Sequence, residues 1–139
     1  MKGTAKNYVL DANAILDYFQ DGPGAGTIDR VLRDAFRHDA LLMISVINLG
    51  EAFYSVWRVH GEQKARQAID DVALLPIQVV AVDLAHTLKS AELKILYKIP
   101  YADSFAASLA MQRSATLITS DRDFQRLGRQ VPILWLSRP

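Results

Sequence analysis

Cysteine is absent from the 139-residue chain, which excludes a disulfide framework and any zinc–thiolate site. No stretch approaches the ~20 apolar residues that a membrane-spanning helix needs. Met1 to Leu10 carries no apolar run of signal-peptide length. Together these absences lead to the expectation of a soluble, cytoplasmic protein. An excess of charge of one sign is missing too: sixteen Lys and Arg stand against fifteen Asp and Glu, so net charge singles out no partner. Internal repeats, linkers and low-complexity segments are also lacking. What is present has an ordinary globular balance, half apolar and 22% charged. The length fits one domain, residues 1–139.

Short apolar runs alternate with helix-period stretches. Strands are predicted at Tyr8–Leu10, Leu41–Ile44, Ile77–Val82, Ala115–Thr119 and Val131–Leu136. Helices are predicted at Asn13–Phe19, Thr27–His38, Val46–Val59, Glu62–Leu74, Leu84–Tyr97, Ala102–Arg113 and Asp121–Leu127, with a Gly- and Pro-rich loop over Asp21–Gly26. Continuous apolar strands separated by helices imply a parallel sheet covered on both faces. The expectation is an α/β protein, a three-layer α/β/α sandwich with five strands.

In such sheets ligands collect beyond the carboxyl ends of the strands. Asp11 directly follows Tyr8-Val9-Leu10, and Asp121 follows Leu117-Ile118-Thr119-Ser120. If those strands are neighbours, the two carboxylates converge. Glu51 and Asp103 are further acids in apolar helical settings. Carboxylates forced together repel by about 4 kcal/mol at 4 Å and intermediate dielectric. A divalent cation relieves that repulsion, and all-oxygen ligands suit Mg2+ or Mn2+ rather than zinc. Such an ion would also make a phosphodiester acceptable to an acidic pocket. The three histidines, His38, His60 and His86, are far apart in sequence and none follows a strand, so they do not compete for the chemistry.

Each acid also has a plainer explanation. Asp11, Asp103 and Asp121 are all placed to cap the helices that follow. In Val46–Val59 the apolar face is Val46, Leu49, Phe53, Val56 and Trp57, with Glu51 nearly opposite, beside Ile47, Tyr54 and Arg58. By periodicity Glu51 is a solvated residue within reach of Arg58, and it serves a site only if that second face borders a groove. Asn13 and Thr119 read as turn or cap residues; Asp17, Asp21 and Asp123 read as surface acids, with Asp123 close enough to Asp121 to join a metal site.

Four segments resemble the PIN-domain ribonucleases, and within them the VapC-like toxins of toxin–antitoxin pairs. They are Val9–Leu16, Ile44–Glu51, Tyr101–Ala107 and Leu117–Phe124, in that order and over nearly the whole chain. The resemblance implies a five-stranded parallel sheet in order 3-2-1-4-5, which sets the first and fourth strands side by side. It places Asp11, Glu51, Asp103 and Asp121 at the family's acidic positions, with Asn13 and Thr119 at supporting ones. Asn48 departs from the family's frequent Thr. It further implies a homodimer and an antitoxin partner.

The expected activity is Mg2+- or Mn2+-dependent hydrolysis of RNA. Asp11, Asp103 and Asp121 are the expected metal ligands; Glu51 binds a metal or orients water; Asn13, Thr119 and Asp123 support them. Five arginines against two aspartates make the segment from Arg113 to Pro139 basic, and Arg113, Arg122 and Arg126 are candidate phosphate contacts. One alternative is a non-catalytic PIN-like binding module. Another is a phosphotransfer or phosphatase domain on a similar sheet, but Asp11-Ala12-Asn13 lacks the second acid such a phosphatase needs.

Overall fold

The computed structural model describes residues 6–137. Five strands, β1 (Lys6–Leu10), β2 (Ala40–Ser45), β3 (Ile77–Val80), β4 (Thr116–Thr119) and β5 (Ile133–Trp135), form one sheet in the order β3-β2-β1-β4-β5. All four pairings are parallel. The helices are α1 (Ala12–Phe19), α2 (Ala25–Phe36), α3 (Val46–His60), α4 (Glu62–Ala73), α5 (Leu84–Tyr97) and α6 (Tyr101–Gln112), with a 3-10 segment at Arg122–Leu127. This is the expected α/β architecture and strand order.

The strands are apolar on both sides because both sides are covered. On one face Leu10, Leu42, Ile44 and Ile118 pack against Ile15 of α1, Ile28 and Leu32 of α2, Ala52 of α3 and Val72 of α4. On the other, Val9, Met43 and Leu117 pack against Leu93 of α5, Ala106, Ala107 and Ala110 of α6, and Phe124 and Leu127 of the 3-10 segment. The two-residue period of a strand sends neighbours to opposite layers, and Val9/Leu10 and Leu117/Ile118 do this in adjacent strands. The alanines let α6 approach the sheet closely. From Asp103 to Ala110 every residue is buried, so this helix delivers a carboxylate to the interior.

Element boundaries differ from expectation by at most two residues. α1 begins at Ala12 because Asp11 already caps it. β3 stops at Val80 rather than Val82, since Asp83 turns the chain into α5 by capping His86 N–H at 2.8 Å. β5 covers only three residues, following Pro132, which has no N–H to donate to a sheet. Asp17 is no simple surface acid: its carboxylate accepts from Gly24 N–H at 2.6 Å. A Cβ at Gly22 or Gly24 would collide with that carboxylate, so the glycines let the chain close around it. Among the described residues no helix is long and apolar enough to cross a membrane.

Phe124 is fully buried and anchors the 3-10 segment to the sheet. Phe124→Ala is expected to cost about 3–5 kcal/mol, read as a lowered urea midpoint without a change in slope.

Candidate metal centre

The order β2-β1-β4 makes the carboxyl end of β1 and β4 the point where the chain's winding reverses, a natural ligand crevice. Asp11 leaves β1 there and Asp121 leaves β4 two residues beyond Thr119. A single hydroxyl links them. Asp121 N–H donates to Thr119 Oγ1 at 2.9 Å, and Thr119 Oγ1–H donates to Asp11 Oδ2. With its acceptor side taken by Asp121, the Thr119 hydroxyl has its one proton for Asp11. The other Asp11 oxygen accepts Ala14 N–H at 2.8 Å. Asp121 Oδ1 likewise accepts Asp123 N–H at 2.9 Å. The capping explanation is therefore correct for both residues, and it fixes these carboxylates at the sheet end rather than removing them from it.

Asp103 enters from α6. It is not the cap, a place held by Pro100, but sits in the first helical turn, 8% exposed. Its Oδ2 is buried without a hydrogen-bond partner. Asp103, Asp121 and Asp123 each present an oxygen within 4.8 Å of the others. This tight trio includes Asp123 and not Asp11, whose two oxygens are already engaged; the expected ligand set had Asp11 in that place.

Glu51 is half-buried. The buried line of α3 is Asn48, Ala52 and Val56, and Val46 and Trp57, expected on the inner face, are exposed. The helix is rotated from the orientation its apolar residues alone imply. Arg58 lies over the Tyr54 ring, 5.6 Å from its centroid, rather than beside Glu51. The rotation is explained by Asn48, fully buried, whose Nδ2 donates to Ala102 O at 2.9 Å. That bond ties α3 to the first turn of α6, one residue before Asp103. A polar residue on the buried line was the available signal, but apolar periodicity outweighs it when sequence is read alone.

Burial is the main reason Asp11 is pushed up to about 7, with the charges of Asp121 and Glu51 adding to it and the bonds from Thr119 and Ala14 opposing. Burial also leads for Asp103, pushed up to about 8, followed by repulsion from Asp121, Asp11 and Glu51. Glu51 is raised by burial and by Asp121, and drawn back by the Asn48 amide. Asp11, Glu51 and Asp103, from three separate segments, thus all lie within the field of the Asp121 carboxylate. An all-carboxylate donor set with an unpartnered buried oxygen fits a hard divalent cation.

The remaining candidates scatter. Asn13 is exposed on α1 and makes no side-chain hydrogen bond to the acids. Arg113 closes α6, ten residues and so about 15 Å beyond Asp103 along the helix, at the opposite end of the sheet. Arg126 donates to Lys98 O at 2.7 Å. Arg122 stacks on Trp135, 4.5 Å from the ring centroid.

A family model for the PIN domain matches residues 8–130. The chain belongs to the PIN domain family. No curated protein matches the sequence. Solved structures show the same fold in known PIN-type toxins. The VapBC2 complex of Rickettsia felis, bound to a promoter DNA fragment, is similar with TM-score 0.75 and 20% identity over 94% of this chain and 99% of that one. The DNA-bound VapBC of Salmonella typhimurium gives 0.71 and 17% over 93% and 97%. Mycobacterium tuberculosis VapC20, described as a sarcin–ricin loop cleaving toxin, gives 0.70 and 16% over 87% and 95%.

A carboxyl whose pKa is higher folded than unfolded binds more protons in the folded state, so stability falls as pH rises through that interval. The metal-free PIN domain is expected to lose stability between pH 4 and pH 8 as Asp11 and Asp103 ionise. Asp103→Asn should flatten that fall and leave the chelated protein more stable than wild type at pH 8, by on the order of 2 kcal/mol. Thermal melts in EDTA at several pH values measure it.

Proposed function

We propose that this PIN domain is a divalent-metal-dependent endoribonuclease, the toxin of a toxin–antitoxin pair. The observation that carries the reading is the meeting of Asp11, Glu51, Asp103 and Asp121, with Asp123, at one sheet end. Asp103, Asp121 and Asp123 would hold Mg2+ or Mn2+, with Asp11 completing the shell directly or through water. When bound, the ion supplies charge neutralisation at the phosphate and a more acidic water. Thr119 keeps Asp11 and Asp121 in register with each other. Asn48 holds the first turn of α6, and so Asp103, against α3. Glu51, at the half-open side, is placed to take a proton from water during in-line hydrolysis of the phosphodiester; its raised pKa makes it a better base than an ordinary glutamate.

The likeness to VapBC complexes supports a protein antitoxin as partner, and an RNA substrate agrees with a cytoplasmic setting. A homodimer is favoured by α5, where Leu84, Leu88, Ile95 and Leu96 are exposed. Exposed apolar side chains gathered on one helix suit an association surface.

Asp103→Asn and Asp11→Asn are each expected to lower Mn2+-supported cleavage of single-stranded RNA at least ~100-fold, and EDTA should abolish it in wild type. Full cleavage by either purified variant would refute the site. Calorimetric titration separates the non-catalytic alternative, since a scaffold has no need to bind Mn2+. Leu88→Asp is expected to convert a dimer into a monomer in sedimentation runs.

A further inference from the structure

A groove of about 480 Å³ lies between the 3-10 segment and β5, walled by Phe124, Arg129, Pro132, Ile133 and Trp135 among others. Trp135 stands at the carboxyl end of β5, paired in register with Thr119. Adjacent strands lie about 4.8 Å apart, so the indole is one strand away from the hydroxyl that joins Asp11 and Asp121. The chain seals this junction with a Leu136 N–H to Thr119 O bond of 2.8 Å. Arg122, next in sequence to Asp121, stacks on the same indole at 4.5 Å. Arg122 itself does not wall the groove. Arg129, exposed, stands on the groove wall. Neither Arg122 nor Arg129 has a carboxylate within ion-pair distance among the described residues, whereas Arg126, between them, faces Asp123 at 3.9 Å.

We propose that this groove holds one unpaired nucleoside of the RNA, its base stacked on Trp135 and its flanking phosphates met by Arg122 and Arg129. The proposal rests on the ribonuclease reading and adds to it where the strand is gripped beside the acids. Three features favour that occupant. A partly exposed indole is a sequence-tolerant stacking platform. Two arginines free of acidic partners complement phosphate charge. Trp135 is also paired across the sheet with Thr119, which bonds both Asp11 and Asp121, so the indole's strand is the direct neighbour of the one that carries the acidic junction. A duplex cannot present a splayed base, which makes single-stranded or looped RNA the preferred form.

The test uses the full chain with Trp57→Phe, leaving Trp135 as the sole tryptophan. Short single-stranded oligoribonucleotides should quench its fluorescence, and a duplex of the same sequence should not. Trp135→Ala should raise KM about tenfold with kcat within about twofold, Trp135→Phe should retain most of the affinity, and Arg129→Glu, on the exposed wall, should raise KM without moving the melting temperature. Unchanged KM in Trp135→Ala and Arg129→Glu, with no quenching by RNA, overturns the proposal even if the protein cleaves normally. Quenching only by a peptide would assign the groove to a protein segment and overturn it equally. Quenching that persists in an Asp103→Asn protein that no longer cleaves supports it. Quenching by RNA in a wild-type protein that never cleaves would sink the nuclease reading while leaving the groove assignment intact.

Discussion

Like charges held close together in a poorly solvated place govern this molecule. Asp11 and Asp103 are nearly inaccessible to water, Glu51 is half-buried, and the two buried aspartates are destabilised as anions by their surroundings and by one another. Water cannot screen that repulsion, and no lysine or arginine forms an ion pair with any of the three among the described residues. The parallel sheet tolerates the arrangement because the carboxylates occupy its end, where backbone and hydroxyl donors are available. The bonds from Ala14, Thr119 and Asp123 orient the charges without neutralising them. Such a centre is preorganised for a cation rather than comfortable without one.

The layers around the sheet follow from this need. β1 and β4 must be neighbours for Asp11 and Asp121 to meet, and the crossovers that allow it bring α6 over the same face. The alanine content of α6 then becomes a functional property. A helix of larger residues would stand farther from Val9 and Leu117 and would carry Asp103 away from the pair. Asn48 secures the other side, because its bond to Ala102 O fixes the separation between α3 and the start of α6.

Much of this could be read from the chain. Apolar runs followed by acids located Asp11 and Asp121, and the alternation of runs and helical stretches implied the parallel sheet. Strand order came through family resemblance rather than periodicity. Glu51 illustrates the limit of pattern reading. The apolar residues of α3 point to one face, but a single buried asparagine turns the helix toward another, and Val46 and Trp57 remain in solvent. A hydrophobic average has no weight for one well-placed amide. Asp123 was legible as a neighbour of Asp121, two residues on, but not its place in the tight trio, which depends on the turn between them; Trp135 was obscure because its relevance depends on a strand pairing that leaves no spacing in the sequence. Arg113 shows the reverse error, since charge clustered along the chain is dispersed by a helix that runs the length of the sheet.

Two of the acids hold up the very segments that carry them. Removing the Asp11 or Asp121 side chain takes away a helix cap together with a charge, so loss of activity and loss of folding become entangled at those positions. Glu51 caps nothing. An isosteric Gln there relieves repulsion while taking no cap from the backbone, which makes this glutamate the cleanest place to remove one charge from the cluster without disturbing its shape. The same asymmetry lets a single change on α3 alter the charge of this sheet end and keep the scaffold.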